Sequence, residues 1–368
     1  MSRIPSMKDY SITLPSWSVG EHVLDRLGEV AGALGKTAVV IGGHRAMAAI
    51  GDALRKAAEP AVHILDFRWY GGEASRENIE SLKADSAVQK ADMIFAVGGG
   101  KALDTCKVLG METGRKVIAF PTIASTCAAC TAVSILYHPD GSFAGPCFLP
   151  APPAHTFIYT PVIAAAPCRY LWAGLGDTYA KYFVSTMSSR GDELNHYHAL
   201  GVSVSRMCLD PLLSFGKKAM EDHRAGKVSD ELEQVILTII VNTAIASILL
   251  TADHIIDYNT GLAHAIFYAL TSFPDLPVER EHLHGEVVGF GVLALLLVDG
   301  RKDMFDTMLA FNRSVSLPTR LADIGVSAAD LPRVLPQVLK MHDIDHNPYP
   351  VTLEMLEKAF AELEEQSE

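Results

Sequence analysis

Residues 93–107, MIFAVGGGKALDTCK, decide the fold of this chain. Met93 to Val97 are apolar or small, as in a buried parallel strand, and the glycines at 98–100 then turn the chain into a helix. Glycine lets the backbone bend sharply and lets an anion approach without a Cβ in the way. Free N–H groups at the start of the following helix favour a phosphate. The stretch therefore predicts a cradle for a pyrophosphate.

The glycine turn matches neither common phosphate-binding pattern. Phe95 stands where GxxxxGK[ST] has its first glycine, and Ala102 stands where it has a hydroxyl. Leu103 occupies the last glycine position of GxGxxG. A tight turn between strand and helix, without a ligand, remains the alternative interpretation.

The flanking sequence alternates strand and helix patterns. Strand patterns lie within 11–20 and at 36–43, 61–67, 93–97 and 117–121, with helical patterns at 23–34, 47–58 and 76–84. The alternation predicts βαβ units and a parallel, Rossmann-like sheet. From about Leu171 helical periodicity takes over, at 176–188, 193–220, 229–251, 259–271, 285–299, 302–311 and 352–365. We predict an α/β dinucleotide-binding domain over 1–162 and an all-α domain over 163–368. Their boundary would lie in the Pro-rich segment 150–167 and the site in the cleft.

Composition narrows the class of protein. Of 368 residues, 49% are hydrophobic and 20% charged, as in a globular protein with room for two domains. The net charge of −12 argues against nucleic acid or an anionic membrane as a partner. No leader-like apolar segment opens the sequence, and the run Val235 to Leu250 is interrupted by polar residues, as in a core helix. The six scattered cysteines form no disulfide framework and fit a reducing compartment, so we expect a cytoplasmic protein. As its partner we expect a small molecule.

Three segments of the helical half combine metal-ligand residues with glycine. Asp177 ends GLGD, His264 ends GLAH, and His284 lies in HLHGE. One Asp and two His from separate helices suit a divalent metal site with an open position for substrate. From the residues alone, Asp177 could equally be a helix N-cap and His264 a core histidine, and His254 and His342 are competing candidates.

Cys127 and Cys130 form a CxxC pair. A redox dithiol is one interpretation, but the thioredoxin-like context is missing and no second CxxC completes a zinc site. We expect two small residues in a loop that follows a strand.

Five motifs, in this order and spacing, resemble the iron-containing alcohol dehydrogenase superfamily, most closely its glycerol dehydrogenase branch. They are GGGKALDTCK, FPTIASTCAACTAVSILY, AGLGDTYAK, GLAHAIFYAL and HLHGEVVGFG, and the resemblance extends from about Ser18 to the C-terminal PVTLEMLEKAFAELEE. It implies a dehydroquinate synthase-like architecture: a nucleotide-binding α/β domain, an α-helical domain and a metal in the cleft between them. Helices of such families often pair, so we also expect a homo-oligomer.

The resemblance assigns roles to particular residues. Asp177, His264 and His284 would hold the metal and form the catalytic centre. Iron-using members add a His four residues after the Asp, where this chain has Lys181, so we expect zinc, with Fe²⁺ as the alternative. The cofactor, NADP or NAD, would contact Gly98, Gly99, Gly100, Lys101, Asp104, Thr122, Ser125, Thr131, Val133 and Tyr137.

The end of the second strand bears on which cofactor is used. An acidic residue there usually accepts the ribose hydroxyls of NAD, but this chain has Gly43, His44 and Arg45. His44 and Arg45 could hold a 2′-phosphate, so we expect NADP as readily as NAD. The alternative is that both residues only solvate the start of a helix.

Two departures from the branch concern the substrate. Glycerol dehydrogenases carry an Asp where this chain has Cys127, and a second His where it has Phe267. Without that Asp, a hydroxyl loses an acceptor, and a carboxylate at about 4 Å escapes a repulsion on the order of 4 kcal/mol. The TCAA segment also resembles the 2-hydroxycarboxylate dehydrogenases of this branch.

We therefore predict a metal-dependent NAD(P)H oxidoreductase that reduces small 2-oxo acids to 2-hydroxy acids, by hydride transfer to a carbonyl polarised by zinc. The first alternative is a glycerol or vicinal-diol dehydrogenase. A dehydroquinate synthase-type lyase and a non-catalytic nucleotide-binding protein are further alternatives.

Overall fold

The structure, a computed structural model, describes residues 9–252 and 258–367; His254 lies outside them. Its strands are β1 Trp17–Gly20, β2 Thr37–Gly42, β3 His63–Trp69, β4 Met93–Gly98, β5 Lys116–Pro121, β6 Val133–Tyr137, β7 Phe143–Phe148 and β8 His155–Tyr159. Six form a parallel sheet in the order β1-β8-β5-β4-β2-β3, and β6 and β7 form a separate antiparallel ribbon. This confirms the predicted parallel α/β sheet.

Helices accompany the sheet and then make up the rest of the described chain. The first group is α1 Leu27–Gly32, α2 His44–Ala58, α3 Arg76–Lys83, α4 Ser86–Lys90 and α5 Gly100–Thr113. The second group is α6 Thr160–Ala164, α7 Cys168–Ser188, α8 His196–Ser205, α9 Asp210–Arg224, α10 Asp230–Leu237, α11 Thr243–Leu250, α12 Leu262–Thr271, α13 Val278–Glu281, α14 His284–Val298, α15 Lys302–Val315, α16 Leu331–Val338 and α17 Leu353–Ser367. Short 3₁₀ turns join several helices, and a π-helical segment, Thr238–Asn242, links α10 to α11.

The two central strands are buried along their length. Every residue of β4 is buried, and so is β2 after its first residue. Such strands are typical of a parallel sheet covered by helices on both faces, because neither face meets water. A continuous apolar run, such as that at 93–97, is therefore the pattern expected of a strand in this sheet, and an alternating pattern is not.

Strand β8 was not predicted. Its sequence, HTFIY, lies inside the segment 150–167 that we assigned to the domain boundary, and prolines flank it on both sides. Only long-range pairing with β1 and β5 makes this short run a strand, so local composition could not reveal it. Beyond Tyr159 the described chain contains helices without further strands, and we propose the domain division at residues 162/163 on that basis.

One helical run, Asp230–Leu250, is long and apolar enough to cross a membrane by length and composition. Within the protein, 72% of its most apolar window is buried. This burial agrees with the predicted core helix.

The order of the strands creates a crevice at one edge of the sheet. From β2 the chain passes through α2 to β3 on one side, and from β4 it passes through α5 to β5 on the other. Ligands of open α/β sheets bind at such a reversal, outside the carboxyl ends of the strands. The glycines that end β2 and β4 meet at this point.

Candidate metal centre

The glycine turn after β4 lies in the crevice, and its surroundings leave little room for side chains. Gly98 has a φ of +143°, which L side chains rarely adopt. A Cβ on Gly99 would lie 2.5 Å from the Cδ1 atom of Ile123. On the neighbouring strand, a Cβ on Gly42 would lie 2.2 Å from the carbonyl oxygen of Val97. The backbone of β2 and β4 thus approaches more closely than other residues would allow.

The helix starts at this crevice suit an anion. Helix α5 has Gly99 as its N-cap, without a side chain to cap it and without an acidic residue in its first turn. Its first N–H groups are therefore available to a phosphate. Helix α2 begins in the same way after Gly43, with the exposed residues His44 and Arg45 as its first two residues. The His44 ring stacks on Trp69 at 5.3 Å between centroids.

The loop after β5 joins the crevice to the helical half. The Thr122 amide donates to the Gly98 carbonyl oxygen at 3.1 Å, which ties the loop to the glycine turn. Thr122 is buried, while Ser125 and Cys127 are half-buried. On the other side of the loop, Gly174 of α7 packs so closely that a Cβ there would lie 2.4 Å from the Ala124 carbonyl oxygen. The loop therefore forms a wall shared by both halves of the protein.

The other residues that were predicted to contact the cofactor differ in their exposure and in their bonding partners. The exposed Lys101 ammonium pairs with Glu73 at 2.5 Å and lies 5.0 Å from the centre of the Tyr137 ring. Asp104 is buried and pairs with Lys107 at 2.9 Å, and its carboxylate also accepts from the Ile135 amide. The bond from Ile135 joins α5 to β6, so Asp104 has a structural role, and its contact with the cofactor stays a prediction.

Thr131 and Val133 belong to the same network. The Lys107 ammonium donates to the Thr131 hydroxyl at 3.0 Å and to the Val133 carbonyl oxygen at 2.5 Å. That Thr131 and Val133 contact the nicotinamide likewise remains a prediction. Glu73 and Lys107 were not singled out from the sequence, because isolated charged residues carry no spacing signal.

The structure brings Asp177, His264 and His284 together. One potential ligand atom from each lies within 4.8 Å of the others. The Asp177 Oδ1 and His284 Nε2 atoms are 3.6 Å apart, and the two imidazole rings are 5.7 Å apart between centroids. Asp177 lies within α7, so it is not a helix N-cap, and no metal cluster other than this one occurs within residues 9–252 and 258–367.

Two pairs of glycine contacts explain how three helices converge on these side chains. A Cβ on Gly176 would lie 2.1 Å from the carbonyl oxygen of Gly285, and a Cβ on Gly285 would lie 2.1 Å from that of Ala173. Helices α7 and α14 therefore touch backbone to backbone beside Asp177 and His284. Gly261, the N-cap of α12, packs on Val184 of α7. The glycines next to Asp177 and His284 in the sequence thus let the helices approach this closely.

The electrostatics of the cluster suit a metal ion. Burial lowers the pKa of His264 to about 3, so its imidazole is neutral and keeps a lone pair for coordination. Burial alone would raise the pKa of Asp177, but the hydrogen bond and charge of His284 outweigh it, and this pKa lies below its usual value. The buried Nδ1 atom of His264 has no hydrogen-bond partner among the described residues. One carboxylate and two imidazoles thus supply the ligand types that a divalent cation takes.

Glu286 positions this centre, although the sequence did not assign it a role. It is buried, its Oε1 atom bonds His282 Nδ1 at 2.6 Å, and its Oε2 atom accepts from the Leu283 amide at 3.0 Å. Both contacts hold the start of α14, where His284 is the first residue. His282, the other histidine of HLHGE, is thus hydrogen-bonded to Glu286 and is not part of the metal cluster.

Replacing Glu286 with alanine is expected to weaken metal binding by about 10- to 100-fold, because residues that orient ligands have effects of that size. The free energy of unfolding should fall by about 1 to 3 kcal/mol, since a buried amide loses its acceptor. Metal titration and thermal unfolding measure the two effects. Asp323→Ala is the matched control: it removes a similar cap, on the Thr319 and Arg320 amides, from a turn that carries no predicted ligand. Equal metal affinity in both variants would contradict the positioning role.

Cys127 and Cys130 do not form a disulfide. Burial raises the pKa of each thiol to about 12, so neither is a thiolate at neutral pH. The Cys130 amide donates to the Cys127 carbonyl oxygen at 3.0 Å, which closes a turn. These properties favour the predicted loop over a redox dithiol.

The chain is similar to several known dehydrogenases. The family model for iron-containing alcohol dehydrogenase matches residues 15–151. Glycerol dehydrogenase of Thermotoga maritima is 35% identical over 292 residues, which are 77% of this chain and 77% of that protein. Hydroxycarboxylate dehydrogenase A of Escherichia coli K12 is 29% identical over 334 residues, 89% of each chain. The crystal structure of a probable glycerol dehydrogenase from Sinorhizobium meliloti 1021 matches with a TM-score of 0.80 and 28% identity, covering 98% of this chain and 99% of that one.

Proposed function

The chain belongs to the iron-containing alcohol dehydrogenase family, as an NAD(P)-dependent oxidoreductase of CH–OH groups in the glycerol dehydrogenase-like branch, and within it we propose that the protein reduces small 2-oxo acids to 2-hydroxy acids. The observation that carries the proposal is the neutral Cys127 thiol on the loop that faces Asp177. Burial and the charge of Asp177 both keep this thiol protonated. A carboxylate on that side of the site therefore meets no second negative side chain from the loop.

The remaining walls support a small carbonyl substrate. The Phe267 ring stands edge-on to the His284 imidazole, 4.4 Å between centroids, and makes that side of the centre apolar. Asp177, His264 and His284 would hold the divalent metal, which when bound supplies polarisation of a carbonyl oxygen. Lys181, where a fourth ligand would stand, donates to Asn259 and cannot coordinate as an ammonium, which supports a three-ligand zinc site.

The reaction needs a hydride at the carbonyl carbon and a proton at its oxygen. A bound reduced nicotinamide would supply the hydride, and the glycine crevice and the loop after β5 would orient it towards the helical half. Phe267 offers no proton, so we assign the proton to a bound water or a cofactor hydroxyl. The side chains around the centre thus orient the substrate and exclude bulk water.

We also propose NADP as the preferred cofactor. The first turn of α2 has no acidic residue to accept ribose hydroxyls, and the exposed His44 and Arg45 stand at its start. A 2′-phosphate would pair with these two side chains at a helix N-terminus that already favours an anion.

Initial rates of NADPH and NADH oxidation by zinc-loaded protein test these proposals. We expect 2-oxobutyrate, pyruvate or 2-oxoglutarate to be reduced faster than dihydroxyacetone and simple aldehydes, with NADPH preferred. Chelated, metal-free protein should lose at least roughly 100-fold in turnover, because polarisation by a metal contributes several kcal/mol. Full activity without metal, or preference for dihydroxyacetone, would contradict the proposal.

The second candidate is a glycerol or vicinal-diol dehydrogenase. The relatives favour it, because several of them, including the one from Thermotoga maritima, are named glycerol dehydrogenase. In this alternative a water at Cys127 would accept the substrate hydroxyl. Oxidation of glycerol by NAD at a rate well above the reduction of any 2-oxo acid would support it.

A further inference from the structure

A buried ammonium lies beside the metal cluster. Lys181 is on α7, four residues after Asp177, so the two side chains occupy the same face of the helix one turn apart. Lys181 is only 7% exposed. A lysine is almost never buried to this degree without a partner for its charge.

The described partners of Lys181 are neutral. Its Nζ atom donates to the Asn259 backbone carbonyl at 2.6 Å and to the Asn259 side-chain oxygen at 2.8 Å. An ammonium has three N–H donors, so these bonds engage two of them. Within residues 9–252 and 258–367, no carboxylate forms an ion pair with Lys181, and the carboxylate whose charge acts on it is Asp177. If Asp177 holds the metal, the Lys181 charge has no anion of its own among the described residues.

The charge of Lys181 reaches the groups that line the metal cluster. Its charge acts on Asp177 from its own helix, on His264 from α12 and on Cys127 from the loop after β5. These three groups belong to three different segments of the chain, so the charge of Lys181 lies close to the centre that they share. Cys208, also buried, is the other titratable group that acts on it.

We propose that Lys181 binds the carboxylate of the substrate and so selects 2-oxo acids over neutral carbonyl compounds. The inference rests on the proposed function, and it names the group that recognises the substrate class. A buried cation without an anion is costly, and a substrate carboxylate on its free N–H side removes that cost. Asn259 holds the ammonium in place through two hydrogen bonds. Because the Cys127 thiol is neutral, it does not repel this carboxylate.

Binding of the inert carboxylate oxamate to zinc-loaded protein with cofactor tests the proposal by calorimetry. Lys181→Met should weaken oxamate binding by roughly 100-fold, as for the loss of one partner of a buried charge pair, while Lys181→Arg should retain most of it. The KM for dihydroxyacetone should change by less than about threefold, because a neutral substrate gains nothing from the charge. Lys217→Met, an exposed lysine of α9, is the control.

A second variant avoids the loss of a buried side chain. Asn259→Asp supplies Lys181 with a carboxylate at nearly unchanged shape, and we expect it to weaken oxamate binding in the same way. Unchanged oxamate affinity in Lys181→Met and Asn259→Asp, or equal losses for oxamate and dihydroxyacetone, would overturn the proposal. So would an effect on zinc content alone, measured by metal analysis. If wild-type protein does not reduce 2-oxo acids but binds oxamate through Lys181, only the proposed function fails.

Discussion

Gly176→Ala protein is expected to purify without its metal. The new Cβ would lie 2.1 Å from the Gly285 carbonyl oxygen and 3.3 Å from the Gly289 Cα atom. All the atoms it meets within that range belong to backbone, so no side chain can rotate away, and α7 and α14 must separate. Because Asp177 follows Gly176 and His284 precedes Gly285, the separation draws two of the three ligands apart.

The size of this effect follows from the packing. Overpacking a core typically costs about 1 to 3 kcal/mol and occasionally more, and here the obstacle is a helix backbone, so we expect the upper end of that range. A metal affinity loss of at least roughly 100-fold accompanies it, as for other changes that misplace ligands. Metal content per chain and thermal unfolding with and without added zinc measure the two effects.

Gly32→Ala is the matched control for this prediction. Gly32 also lies in a helix, α1, but its new Cβ would meet only the Ala61 Cβ, at an ordinary 3.4 Å. Alanine should be neutral or slightly stabilising there. If Gly176→Ala binds zinc as tightly as Gly32→Ala, then the close approach of α7 and α14 is not what assembles the centre.

The strongest sequence predictions came from patterns that are local. The run at 93–97 and its three glycines predicted β4 and α5 because burial on both faces and a tight turn each leave a mark within a few residues. Asp177, His264 and His284 were singled out because each lies in a short segment that contains glycine, and two of those glycines mark the contact between helices α7 and α14.

The misses depend on partners that are distant in the chain. β8 becomes a strand only between β1 and β5, and the bond of Asp104 to Ile135 of β6, 31 residues away, could not be read from the sequence either. The antiparallel pairing of β6 with β7 also escaped prediction, since proline and glycine in Phe143–Phe148 obscure its pattern. Lys181 was noticed only as a missing ligand, because its burial and its contact with Asn259 cannot be read from a single residue.

Cys127→Asp is expected to reverse the preference between substrates. At about 4 Å and an effective dielectric near 20, two carboxylates repel by roughly 4 kcal/mol, which corresponds to about a 1000-fold loss in kcat/KM for a 2-oxo acid. A diol gains an acceptor for its hydroxyl instead, so oxidation of glycerol should rise. The steady-state ratio of kcat/KM for 2-oxobutyrate to that for dihydroxyacetone measures the reversal.

Cys127→Asn separates charge from size in this experiment. Asparagine has nearly the shape of aspartate but stays neutral, as the wild-type thiol does with its pKa raised by burial to about 12. It should therefore keep most of the preference for 2-oxo acids, while Cys127→Asp loses it. Lys181 and Lys107 both act on this position and would attract an introduced carboxylate, so the reversal should be larger in the Lys181→Met background. Equal losses in Cys127→Asp and Cys127→Asn would mean that the loop excludes bulk rather than charge, and the neutral thiol would then no longer account for the substrate class.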